Sequence, residues 1–307
     1  MIRYVIKRLL MLIPVLFGIT FVVFLILSLS PNDPAMIVLG AEDFTLEQLY
    51  AQREAMGLND PLIVRYFTYM WNAVRGDFGT SWFLGFDVAY EFTQRLPFSL
   101  RLGIYANLIS IILGIPLGII AGVWHNKGAD FAISFFALIM ASAPSFWLSM
   151  LGQVYLSVGL GIFPVFGADT LWHFMLPAFV LGGILTASNV RITRTWLVDV
   201  IRSDYVRTAR AKGAREFRVI MKHALRNSLL PVITSIGMGF AMIMGMVAIV
   251  EIVFAIPGAS AFLISAVRTG DMPVVMGCIV VVALFVGIVN LLVDLLYAVA
   301  DPRVKYS

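Results

Sequence analysis

Long uncharged apolar runs alternate with shorter polar stretches along the chain. The runs cover residues 9–29, 102–124, 131–158, 170–190, 229–250 and 274–293. A helix needs about 20 apolar residues to cross the hydrocarbon core of a bilayer. Six spans are therefore predicted. The fourth is the least apolar, because it carries His173 and Asn189. None of the runs alternates apolar with polar residues, which argues against a membrane barrel.

Composition agrees with that pattern. Hydrophobic types make up 60% of the 307 residues and charged types 13%. A soluble domain has about 45–50% apolar and about 25% charged residues. A cytosolic globule, a disordered chain and a disulfide scaffold are excluded, the last because Cys278 is the single cysteine. A net charge of +4 gives little reason to expect nucleic-acid binding. Arg3, Lys7 and Arg8 precede the first run as they would in a signal peptide. That run exceeds the 7–15 residues of a signal core, and five more follow, so it reads as a retained anchor.

Charge between the runs predicts orientation. Segment 31–96 has nine acids and four bases, whereas segment 191–230 has ten bases and three acids. Arg3, Lys7 and Arg8 lie before the first span, Lys127 in the turn after the second, and Arg303 and Lys305 after the last. The turn after the third span has no Lys or Arg, and the turn after the fifth has only Arg268. Bases thus alternate rich and poor, which places both termini and 191–230 in the cytoplasm and 31–96 outside.

The outer segment is patterned as helices. Thr45 and Gln48 have capping-box spacing, and Gly57 suits a helix end. Asp60-Pro61 reads as an N-cap followed by proline at the first helical position. Ile63, Phe67, Met70 and Val74 then fall on one face. Tyr66, Trp71, Asp77 and Trp82 belong to an aromatic-rich stretch with two readings. It is a helical cap lying at the bilayer interface, or a docking surface for an external partner.

In the cytoplasmic segment, residues 204–213 read as a short polar helix ending at Gly213. Asp204 is placed near its positive end and Lys212 near its negative end. A second helix follows, with Phe217, Ile220, Met221, Ala224 and Leu225 as its apolar stripe. Such a basic elbow suits either anionic lipid or a cytoplasmic protein partner.

The string Asp204-Tyr205-Val206-Arg207-Thr208-Ala209-Arg210-Ala211-Lys212-Gly213, continuing to Leu230-Pro231, resembles the coupling loop of ABC-transporter membrane subunits. Ala209 matches the last alanine of that loop's Glu-Ala-Ala triplet, and Gly213 its glycine. Arg207 and Thr208 depart from the Glu and first Ala, so an ion pair from that Glu to the ATPase is not carried over. Asp204, about one turn earlier, is a substitute. The first span with Pro31-Asn32-Asp33-Pro34, the Gly57–Leu62 and Gly76–Ser81 strings, and Asp301-Pro302-Arg303 are similar to the B-type permease of dipeptide and oligopeptide importers.

The resemblance implies an all-α polytopic protein with six spans of the type I ABC importer permease fold and a small helical outer segment. Its parts are 1–30, 31–96 and 97–307, the last including coupling loop 191–230. It implies a bacterial or archaeal inner-membrane subunit for di- or oligopeptide import, with nickel-complex or glutathione import as the alternative and a secondary transporter behind both. The implied partners are a second homologous permease in a heterodimer, two ATPase subunits and an extracytoplasmic solute-binding protein. ATP and Mg sit on the ATPase subunits, and this chain has no catalytic role and no cofactor. Coupling falls to Asp204, Tyr205, Arg207, Thr208, Ala209, Lys212 and Gly213.

The residues themselves fit a chain without catalytic machinery. There is no Gly-Lys dipeptide, hence no GxxxxGK[ST] phosphate loop, and no HExxH or GxSxG. His125, His173 and His223 lie in three different segments and offer no metal cluster. Glu251 and Asp294 sit at span edges, where an acid faces protein or water. Candidate pathway residues are Glu251 together with Ser142, Ser145 and Gln153 around Pro144, a predicted kink, and Met238 and Met242 in the small-residue stretch of span five. Packing or a structural ion pair is the alternative role for each.

Overall fold

The computed structural model describes residues 2–30, 33–40 and 44–300. The Asp301-Pro302-Arg303 string, Lys305 and Pro31-Asn32 lie outside these residues, as do the side chains of Arg3, His223 and Arg226–Leu230. Among the described residues the fold is helical. The chain divides into two compact units, Met1–Pro97 with Gly258–Gly287, and Phe98–Pro257 with Ile288–Ser307.

The first unit begins with α1 (Ile2–Ser28). Short helices α2 (Pro34–Leu39), α3 (Leu46–Ala55) and α4 (Leu62–Val74) follow. The Thr45–Gln48 capping box forms as its spacing requires: Gln48 N–H donates to Thr45 Oγ1 at 3.2 Å, and Thr45 N–H to Gln48 Oε1 at 2.9 Å. At α4 the sequence expectation shifts by one residue, because Pro61 is the N-cap and Leu62 the first helical residue.

The inward face of α4 also differs from the predicted one. Tyr66, Met70 and Ala73 are buried, whereas Ile63, Phe67 and Val74 are exposed. The helix is apolar on more than one side, so periodicity alone does not choose its inner face. Tyr66 turns inward because its ring meets Phe17, Phe21 and Phe24 edge-on, and its hydroxyl donates to the Phe17 carbonyl at 2.8 Å.

α12 (Ala259–Thr269) and the first part of α13 (Met272–Ala300) complete this unit. Buried Asp271 accepts from Ser81 Oγ at 2.6 Å and Trp82 N–H at 3.2 Å. These bonds satisfy a carboxylate that burial would otherwise penalise.

The second unit is built around α5 (Val88–Val123) from Phe98 onward, α6 (Gly128–Ser142), α7 (Ser145–Gly152), α8 (Leu171–Ile201) and α11 (Leu225–Val253). α5 starts at Val88, well before the predicted span at Leu102. Glu91 and Arg95, one turn apart, pair within the helix, so these charges do not interrupt it.

Gly114, Gly118 and Gly122 form a stripe on α5 facing Asn189, Thr193 and Leu197 on α8. A Cβ on Gly118 would lie 2.6 Å from Thr193 Cβ. Small residues four apart let two membrane helices approach to backbone contact. The predicted kink at Pro144 is a full break: α6 and the segment Ser145–Gly159 meet at 102°. Proline cannot donate to the preceding turn, and Ala143 takes extended backbone with ψ of 131°. A second bend, 54°, divides Pro231–Ile243 from Gly245–Val253. Among the described residues four helices are long and apolar enough to cross a bilayer, or up to six if each bent pair counts as one span.

Candidate coupling loop and translocation groove

The loop after α8 is a short helix, α9 (Asp204–Ala211), a glycine elbow, a single helical turn, α10 (Glu216–Arg218), and a π-helical segment, Val219–Ala224. Val206 and Ala209 on α9 are buried with Leu197, Val219 and Ala224. The same helix turns Asp204, Tyr205, Arg207 and Thr208 outward, and Lys212, its C-cap, is exposed beside them. Ala209 is thus a packing residue of the elbow, and its neighbours form the surface.

Ser203 is the N-cap, and Asp204 is the first helical residue, beside the positive end of the helix. Gly213 has φ of +78°. Its N–H donates to the Arg210 carbonyl at 2.9 Å, and the Ala214 N–H to the Ala209 carbonyl at 3.3 Å. Arg210 reaches across this turn to Glu216 through Nε–Oε2 at 3.1 Å and Nη2–Oε1 at 2.6 Å. That bidentate bond holds the Glu216 carboxyl below the usual carboxylate range and the Arg210 guanidinium above its own.

The predicted stripe of the second helix is only partly correct. Phe217 is 76% exposed and Met221 is exposed, whereas Val219, Ala224 and Leu225 are buried. The π-helical turn resets the register, so a 3.6-residue period misassigns the face.

A second feature lies among α5, α8 and α11. A groove of about 290 Å³ is lined by Asn107, Ser110, Asn189, Ser235, Met238 and Met242, among others. Asn189 is its centre. It accepts from Ser235 Oγ at 3.1 Å and donates to Ser110 Oγ at 3.2 Å. Ser110 donates to the Asn107 carbonyl at 2.9 Å, and Asn107 Nδ2 to the Gly103 carbonyl at 3.1 Å. Among the described residues the lining carries no formal charge. It offers hydroxyl and amide groups together with two exposed methionines.

Of the residues expected along the pathway, Met238 and Met242 line this groove and the others do not. Ser142 is exposed and Ser145 half-buried, either side of the α6–α7 break. Gln153 Nε2 donates to the carbonyls of Val165 and Val253, both at 3.0 Å, and so ties the residue that follows α7 to the end of α11 and to the loop before α8. Glu251 is fully buried and accepts a hydrogen bond from Ser99. Asn107, Ser110 and Ser235 were missed because each is a small polar residue within a long apolar run, with nothing local to mark it. Asn189 had signalled itself as the anomaly of the fourth span.

The expected docking residues also separate. Trp71 and Asp77 are exposed, with Arg75 stacked 4.6 Å from the Trp71 ring. Trp82 is half-buried. Tyr66 is buried in the α1–α4 contact and cannot meet an external partner there, which corrects its assignment. Near the start of α6, Arg194 on α8 grips buried Asp130 through Nε–Oδ1 at 2.5 Å and Nη2–Oδ2 at 2.8 Å, with His125 Nδ1 3.4 Å from the carboxylate. Among the described residues no group of three or more His, Cys, Asp or Glu is arranged to hold a metal.

The family described as "Binding-protein-dependent transport system inner membrane component" matches residues 114–306. Its N-terminal counterpart, "Binding-prot-dependent transport system membrane comp, N-term", matches residues 1–97. The glutathione transport system permease protein GsiC of Escherichia coli (strain K12) is 41% identical over 308 residues, covering 100% of both chains. GsiC of Shigella flexneri serotype 5b (strain 8401) matches to the same extent. An inward-facing structure of the MetNI methionine ABC transporter aligns with a TM-score of 0.59 at 15% identity, over 69% of this chain and 97% of that one. A second crystal form gives 0.57. At that identity the likeness concerns the fold alone. The chain belongs to the inner-membrane permease family of binding-protein-dependent ABC importers, in its dipeptide, oligopeptide and nickel branch, whose members are non-enzymatic membrane subunits.

Proposed function

We propose that this chain is the B-type permease of a small-peptide importer. It forms half of a translocation pathway, beside a second homologous permease. The uncharged groove centred on Asn189 supports this reading. Peptide bonds present neutral donors and acceptors, which match the hydroxyl and amide lining, while methionines adapt to varied side chains. Glutathione, itself a peptide, is one candidate solute, because GsiC is named for glutathione transport. A solute-binding protein delivers the peptide from outside and sets much of the selectivity.

In this reading both termini and the coupling loop lie in the cytoplasm, and segment 31–96 lies outside. The excess of bases in 191–230 supports that orientation. The outward face of α9, with Asp204, Tyr205, Arg207, Thr208 and Lys212, seats in an ATPase subunit that binds ATP and Mg. Nucleotide-driven closure of the ATPase pair moves the elbow and alternates access to the groove. Trp71 and Asp77 are the remaining candidates for contact with the binding protein.

Uptake by the assembled importer in proteoliposomes tests the substrate class. Radiolabelled di- and tripeptides, glutathione and a nickel–histidine complex would be compared. Peptide uptake that the nickel complex does not compete away is the expected result. Uptake of the nickel complex alone would overturn the peptide reading.

A further inference from the structure

The first unit contains two adjoining cavities that the transport reading does not use. One, of about 310 Å³, is lined among the described residues by Arg53, Arg65 and Arg268 and by one carboxylate, Asp33. The other, of about 540 Å³, is walled by aliphatic side chains of α1, α12 and α13, including Ile26, Ile264 and Ile279. Leu27, Val267 and Arg268 line both, so the apolar groove opens onto the cationic pocket.

The position of the pair matters. The candidate spans Val5–Ser28 and Met272–Leu295 have one end each at the pocket, where Leu27, Ser28 and Met272 contribute to its wall. The groove follows α13 from there to Ile279, about 10 Å along the helix at 1.5 Å per residue. A charged head at the interface and an apolar slot descending into the hydrocarbon are the two halves of a phospholipid site.

Two of the arginines, Arg53 and Arg65, are poorly satisfied by the described residues. Arg53 Nε is enclosed without a hydrogen-bond partner, and its Nη1 lies 3.5 Å from Asp33 Oδ2. Arg65 Nη2 has Met272 Sδ at 3.7 Å, a weak acceptor, and its guanidinium stands 5.7 Å from the Phe24 ring. Asp60 acts on Arg65 from outside the lining. Among the described residues, three guanidiniums facing one lining acid favour a phosphate, whose oxygens accept charge-assisted hydrogen bonds.

The geometry points to a binding site for one anionic phospholipid, its phosphate held by Arg53, Arg65 and Arg268 and one acyl chain laid in the groove beside Val267. A free anion would use only the pocket, and a zwitterionic lipid would leave the cationic excess unmatched. The site is separate from the groove centred on Asn189.

Native mass spectrometry of the purified, delipidated full-length chain tests this. Phosphatidylglycerol, phosphatidylcholine and glycerol-1-phosphate would be titrated separately and in competition. Saturable retention of one phosphatidylglycerol, resisting millimolar glycerol-1-phosphate and exceeding phosphatidylcholine, is expected. Arg268→Gln, on an exposed side chain, should weaken that retention about fivefold, and Ile264→Trp, which fills the groove, should weaken it by at least as much. Arg65→Gln should act in the same direction. Equal retention of phosphatidylcholine, full competition by glycerol-1-phosphate, or unchanged retention in both Arg268→Gln and Ile264→Trp would overturn the assignment.

Discussion

Arg210 and Glu216 close a two-pronged ion pair across the turn at Gly213, with the shorter contact at 2.6 Å. One residue belongs to α9 and the other opens α10, so the pair fixes the angle of the elbow. The backbone turn and the side-chain clamp therefore specify the same geometry. The first prediction follows from the charge of this pair. Because Glu216 has a lowered pKa, its contribution is complete above the ordinary glutamate value, about 4.3. It is lost as pH falls through the lower folded value. Both side chains are solvent-exposed, so the contribution is under about 1 kcal/mol. Amide hydrogen exchange at 213–216 should rise, beyond its intrinsic pH dependence, on acidification in the native chain. Glu216→Gln should show raised exchange already at neutral pH.

Gly213 carries the second prediction. At φ of +78° an L side chain is strained, by about 1–2 kcal/mol, although nothing lies within 4 Å of a new Cβ. Asparagine tolerates this region better than β-branched residues. Gly213→Asn should retain most ATP-driven uptake, whereas Gly213→Val should lose most of it with the subunit still inserted. Equal uptake in the two variants would show that the elbow's conformation is unimportant.

The glycine stripe of α5 gives a third. A Cβ at Gly118 would press on Thr193 Cβ and on the Val190 carbonyl, neither of which is a flexible chain end. Gly118→Ala should lower thermal stability by about 1–3 kcal/mol, the usual cost of overpacking. Gly128→Ala, which meets nothing within 4 Å, serves as the control. Thermal unfolding of both variants in detergent checks the difference.

Asp130 and Arg194 supply a fourth. Removing the carboxylate leaves the guanidinium without its bidentate partner. Asp130→Ala should cost about 2–3 kcal/mol, in the range for hydrogen bonds to charged groups. Asp130→Leu combined with Arg194→Leu should cost less than Asp130→Ala alone, because no unpaired charge remains. A double-mutant cycle on thermal stability reads this directly.

Several of these features were legible in the residues. The Thr45–Gln48 box, the Gly213 elbow and the break at Pro144 each rest on local backbone chemistry, and local chemistry is written in neighbouring residues. The inner face of α4 was not legible, because Ile63, Phe67 and Val74 are as apolar as the residues that are buried. What selects Tyr66 is a carbonyl on α1, 49 positions away. The exposure of Phe217 was hidden for a related reason, since a π-helical turn leaves no mark in a 3.6-residue period. The groove escaped notice because Ser110, Asn189 and Ser235 come together only when α5, α8 and α11 pack. The pair of Gly114 and Asn189 shows both sides of this. Each is visible in sequence, but their contact belongs to the assembled helices.

The proposed coupling role of α9 is tested most directly by disulfide trapping in the assembled transporter. Tyr205 and Val206 are adjacent, yet Tyr205 is 43% exposed and Val206 is fully buried. Cys278, the native cysteine, is buried in α13 and leaves the background quiet. Tyr205→Cys, set against a panel of single cysteines in the ATPase subunit, should form a cross-link that blocks uptake until reductant restores it. Val206→Cys should not cross-link. Failure of Tyr205→Cys to trap the ATPase, or a trapped complex that transports normally, would contradict the assignment of this helix as the coupling element.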